Sequence, residues 1–102
     1  MSHVVALYHI REPHTFHSRH ELLCFEPVSE REQEEWRPRL HAWMLERLGA
    51  GDYHFGLYYA VVAPVDEYDR PDLYAVDELQ GQGADIVEDY LCWSGESELV
   101  PT

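Results

Sequence analysis

The chain has 102 residues, 45% of them apolar and 13% aromatic, which fits one domain with one modest core and is too hydrophobic for a disordered tail. Twenty Asp and Glu stand against seven Arg and no Lys, a formal net charge of -13 with histidine neutral. Phosphate recognition needs clustered Lys and Arg, so this composition excludes direct binding of DNA, RNA or anionic lipid.

The acid is unevenly spread. From residue 52 to residue 102 there are 12 acids and a single base, Arg70. Self-repulsion of this size costs folding stability. Solubility, or a GC-rich or salt-adapted genome that favours Arg, Asp and Glu, accounts for it without function. A field aimed at a basic partner accounts for it with one, because complementary potential speeds encounter and rejects wrong partners. Cys24 and Cys92 make neither a disulfide framework nor a zinc pattern. The first ten residues lack a basic segment ahead of a long apolar run, and no stretch approaches the roughly 18 apolar residues of a membrane span. The expectation is a cytoplasmic, reduced protein that meets no membrane.

In chain order, His3 to Ile10 is β-rich and reads as a strand. Arg11 to Ser18, with Pro13, reads as a loop, and His20 to Glu26 as a second strand that Pro27 ends. Ser29-Glu30-Arg31-Glu32 matches a capping box. Trp36, Leu40, Trp43, Met44 and Leu48 follow at helical spacing, with Gly49 and Gly51 as the stop. Pro38 should kink this helix or split it. Tyr53 to Ala63 is the strongest strand, with Tyr53, Phe55, Leu57, Tyr59 and Val61 on one face and Gly56, Tyr58, Ala60 and Val62 on the other. A strand apolar on both faces belongs in the middle of a sheet. Pro64 ends it, and Val65 to Asp72 is an acidic loop. Leu73 to Val76 reads as a short edge strand, Gly81-Gln82-Gly83 as a turn, and Asp85 to Trp93 as a short helix with a strand as the alternative. The predicted architecture is one α+β domain over residues 1–102. It has a small, mostly antiparallel sheet of three or four strands and one long and one short helix on one face, in the order β-β-α-β-(β)-α. Residues 94–102 read as a frayed tail.

Few motifs carry chemistry. His14, His17 and His20 form an HxxHxxH run with Cys24 four residues on. These are ligand types for zinc, but surface loop histidines explain them as well, and no cofactor is expected. His20 and Cys24, four apart on one strand, would sit about 13 Å apart, too far for a nucleophile and base. Ser94-Gly95 lacks the context of a nucleophile elbow, and Gly81-Gln82-Gly83 lacks that of a phosphate loop. No catalytic residues and no enzymatic activity are predicted.

The aromatics interleave with the acids. Asp66, Glu67, Tyr68, Asp69, Asp72 and Tyr74 alternate along one loop, and Asp77, Glu78, Asp85, Glu88 and Asp89 continue the run toward Tyr90. Tyrosine supplies stiff contact area with a polar tip, and carboxylates pair with Arg and Lys on a partner. These residues form the candidate partner-binding surface. The expectation is an acidic protein that inhibits a basic nucleic-acid-binding protein or nucleoprotein complex, with its carboxylates standing in for phosphates. In size and charge, and in nothing else, it is like phage-borne anti-defence proteins such as anti-CRISPR inhibitors. An immunity protein or antitoxin against a basic nuclease toxin is the alternative within that class. A metal-binding protein built on His14, His17 and His20 is the alternative outside it, and a dimer built on Tyr58 and an exposed edge strand is a further one.

Overall fold

The computed structural model describes residues 3–11, 19–51 and 53–94. Six regular elements follow in the order β-β-α-β-α-β: β1 (His3–Arg11), β2 (Arg19–Val28), α1 (Leu40–Ala50), β3 (Gly56–Pro64), α2 (Leu73–Gly81) and β4 (Glu88–Trp93). The four strands form one sheet in the order β2-β1-β3-β4, antiparallel throughout. The α+β class and the four-stranded antiparallel sheet are as the sequence predicted. The middle strands β1 and β3 are those apolar on both faces, because only a covered strand can bury both sides of its pleat.

The helices lie on opposite faces of the sheet, not on one. Against α1 pack Val5, Leu7, Tyr58, Ala60, Val62, Val87 and Trp93, closed over by Leu40, Trp43, Met44 and Leu48. On the other face, Ala6, Tyr8, Ile10, Tyr59, Val61 and Ala63 meet Val76 of α2. Successive residues of each strand therefore feed two different cores.

Four local readings are corrected. Pro27 does not end β2: it pairs with Val4 and the strand runs to Val28, which an edge strand tolerates because one of its sides has no neighbour to bond. The Ser29–Glu32 segment is not a capped α-helix. The Ser29 hydroxyl donates to the Glu32 carboxylate at 2.7 Å instead of accepting a backbone N–H. Two 3₁₀ turns, Glu30–Glu32 and Glu34–Trp36, precede α1, and Pro38 sits at the break. Leu73 to Val76 opens a helix instead of a strand. Asp72 caps it, its carboxylate accepting from the Ala75 N–H at 3.0 Å. Finally, Glu88 to Trp93 is a strand, because β3 offers an edge to pair with. Val62 N–H already bonds the Val87 carbonyl at 2.9 Å, just ahead of that ladder.

One irregularity sets the chemistry of the second face. Leu7 pairs with Cys24 but Tyr8 pairs with Leu22, so Leu23 is an extra residue, a bulge in β2. Beyond it the side-chain parity of β2 reverses. Cys24 packs on the α1-side core, while His20 meets the rings of Tyr8 and Tyr59 at 6.0 and 5.5 Å on the α2 side. Had β2 been regular, His20 and Cys24 would share a face. Arg11, the first residue of the predicted loop, ends β1; the rest of that loop, 12–18, and the predicted tail after Ser94 lie outside the described residues.

Candidate partner-binding face

The acid-rich second half supplies β3, the loop after it, α2 and β4, and these meet on the α2 side of the sheet. Asp66 organises the loop. Its carboxylate accepts from the N–H groups of Tyr68 at 2.8 Å and Arg70 at 3.1 Å, and Asp69 takes a left-handed φ of 62° at the tip. This turn holds Glu67, Tyr68 and Asp69 out in solvent. Asp72 then caps α2, which presents Tyr74, Asp77 and Glu78 outward. Tyr68 and Tyr74 are 75% and 89% exposed, far more than tyrosines covering a core would be.

Two grooves run beside α2 and share Leu73. One, of about 460 Å³, is lined by Tyr8, Leu22, Tyr68, Arg70, Asp72 and Tyr74 among others. The other, of about 410 Å³, is lined by His20, Tyr59, Val76, Asp77, Gln80, Glu88 and Tyr90. The Tyr59 hydroxyl donates to Glu88 at 2.6 Å, and the Gln80 amide donates to the second oxygen of Glu88 at 3.0 Å. Burial, then that hydrogen bond and the nearby charges, hold the Tyr59 phenol far above the usual tyrosine range. Burial likewise pushes Tyr8 up to about 12, with Arg70 opposing and Asp72 reinforcing. Tyr90 is raised by burial and then by Glu88 and Asp77. None of these phenols ionises near neutral pH.

The predicted site residues divide into three groups. Asp66 and Asp72 do structural work at a turn and a cap. Asp85 and Asp89 leave the site: Asp85 pairs with Arg37 at 3.2 Å and Asp89 with His41 at 3.2 Å, both on the α1 side. The separation of Asp89 from Glu88 follows from β4 being a strand, in which the two face opposite ways. The side chains of Glu67, Asp69, Asp77 and Glu78 have no hydrogen bond or ion pair among the described residues. With Tyr68, Tyr74 and Glu88 they remain as the candidate surface.

The sequence reading missed Tyr59, Tyr90 and the placement of His20. The first two were readable by alternation: Tyr59 follows Leu57 on one face of β3, and in a strand Glu88 and Tyr90 share a face. The bulge that places His20 has no local signature. His14 and His17 lie outside the described residues, and among the described residues no group of three His, Cys, Asp or Glu could hold a metal ion. Burial raises the Cys24 thiol above its ordinary value, which makes it a poor nucleophile. Tyr58 is 2% exposed, its hydroxyl donating to the His54 carbonyl at 2.6 Å, so it cannot be the centre of a dimer interface. No helix of the described residues is long and apolar enough to cross a membrane.

Compared with family models, curated proteins and solved structures, the chain matches none.

Proposed function

We propose that this protein is an acidic inhibitor. Its α2 face docks on a basic nucleic-acid-binding protein or complex and blocks nucleic acid by occupying the phosphate-binding groove. One observation carries the reading: exposed tyrosines gather among unpaired carboxylates on one face of the sheet. On the α1 side, arginine offsets part of the acid, with Arg47 on Glu26 at 2.8 Å and Arg37 between Glu34 at 3.0 Å and Asp85 at 3.2 Å, while exposed Glu30, Glu35 and Glu46 stay unpaired among the described residues. On the α2 side, partner-free Glu67, Asp69, Asp77 and Glu78 surround exposed Tyr68, Tyr74 and Tyr90. An acidity serving only solubility would have no reason to collect unpaired carboxylates around exposed tyrosines. Such a surface suits a partner whose own groove is lined by Lys and Arg.

The test is capture from a lysate of the source cells at low and high salt, with retained proteins identified by mass spectrometry. The expected result is one basic nucleic-acid-binding protein that salt releases and that DNA or RNA displaces. A variant carrying Lys at 67, 69, 77 and 78 should not retain it. A partner held equally by that variant, or indifferent to competing nucleic acid, would overturn the reading.

A further inference from the structure

The groove between α2 and β4 differs from the surface around it. Its floor is aromatic: Tyr59 and Tyr90 stack with centroids 4.8 Å apart and planes 37° apart, and His20 stands edge-on to Tyr59 at 5.5 Å. Its rim is acidic, with Glu88 on β4 and Asp77 on α2. Among the described residues no Arg lines it, whereas the neighbouring groove holds Arg70. Glu88 is anchored by Tyr59 and Gln80, so its charge is fixed in place. The Asp77 carboxylate has no partner among the described residues. Electron-rich ring faces beside one fixed and one free carboxylate make a receptor for an organic cation.

We propose that this groove is an anchoring pocket for a single arginine side chain of the basic partner, whose guanidinium lies against Tyr90 and is gripped by Asp77. The choice of guanidinium over ammonium follows from shape. A planar, weakly hydrated cation stacks on a ring while its fork meets a carboxylate two atoms at a time, and a compact, strongly hydrated ammonium does neither as well. A volume of about 410 Å³ admits a whole arginine side chain. The Glu88 and Asp77 charges that raise Tyr90 act on this same space. The inference rests on the proposed docking mode for the source of the arginine, but the pocket can be tested without the partner.

The probe is N-acetyl-arginine N-methylamide, titrated into the full chain and followed by NMR. Its neutral isostere, the citrulline derivative, and the matching lysine derivative serve as controls. The expected result is saturable shifts at Asp77, Glu88, Tyr90 and His20, with Kd on the order of 1–10 mM, as befits one side chain. Asp77→Asn should weaken binding about tenfold, since a charge-assisted contact is lost while no structural partner of Asp77 is disturbed. Tyr90→Leu should weaken it about threefold or more. Equal, non-saturating shifts with arginine and citrulline would remove the pocket, and tighter binding of the lysine probe would remove the guanidinium assignment. The two proposals fail separately. If the probe binds but no basic partner is ever retained, the pocket stands and the inhibitor reading falls. If a basic partner is held equally by wild type and Asp77→Asn, the pocket falls and the inhibitor reading stands.

Discussion

On the α1 face, Trp36, Leu40, Trp43, Met44 and Leu48 close over the sheet and are each 7% exposed or less. On the α2 face, a nine-residue helix lays Val76, and more loosely Leu73, over two strands, and leaves a groove on either side. The first face is dry enough that the indole nitrogens of Trp43 and Trp93 are buried without a hydrogen-bond partner among the described residues. In the second, the buried tyrosine hydroxyl of Tyr59 reaches a carboxylate at the rim. One sheet thus carries two unlike faces: the side with the longer helix holds the larger buried core, and the other is only half covered.

Truncation should expose this division most sharply. Met44→Ala, at 0% exposure, should cost about 2–5 kcal/mol, whereas Leu73→Ala should cost under about 2 kcal/mol; urea denaturation of both would measure the contrast, and equal losses would break it. Tyr59→Phe should cost about 1–2 kcal/mol, because the removed hydroxyl leaves a half-buried carboxylate short of a donor.

Alkali offers a second comparison. The Tyr8 phenol rises from 10.0 to about 12 in the folded protein, and those of Tyr58 and Tyr59 also rise, all with burial as the largest cause. The native state therefore holds protons that the unfolded chain releases above pH 10. The stabilisation is complete below that pH and is lost as pH climbs through about 12. Melting temperature followed from pH 8 to 12 should be level, then fall, and a Tyr8→Phe, Tyr59→Phe double variant should fall less steeply.

The smallest expected effect is the one most useful to the functional reading. Lys at 67, 69, 77 and 78 should leave stability within about 0.5 kcal/mol per site or raise it slightly, since these carboxylates contribute only mutual repulsion to the fold. Partner retention should nevertheless be abolished. Breaking the Arg47–Glu26 pair on the other face should cost under about 1 kcal/mol and leave retention intact.

How much of this was legible in the sequence follows from where each determinant lies. The central strands β1 and β3 could be read directly, because both of their faces are apolar over eight or nine residues. The break at Pro38 could be read because proline acts locally. Leu73 to Val76 and Glu88 to Trp93 could not, because each is short, and short runs fit either period. The edge of β3 decided the second. Asp72 is a cap signal for the first, but it stands within an acidic run that hides it. The exposed loop of the candidate face was legible through its interleaved Tyr and Asp. The aromatic floor was not, because it depends on β4 being a strand and on a bulge that pairing alone creates.

That bulge gives the fold a spare residue and two ways to close the ladder. Because Leu23 is the extra one, deleting it would leave Leu22 opposite Tyr8 and His20 opposite Ile10, and Arg19 to Leu22 would keep the faces they hold now in a regular strand. Drawing Leu23 into the ladder opposite Tyr8 would do the reverse: His20 and Leu22 would turn toward the α1 side, and Glu21 would take the place of His20. A slip of one residue would thus exchange the imidazole at the pocket for a carboxylate with no change of sequence. Relatives one residue shorter at this point of β2 should therefore keep the same pocket lining.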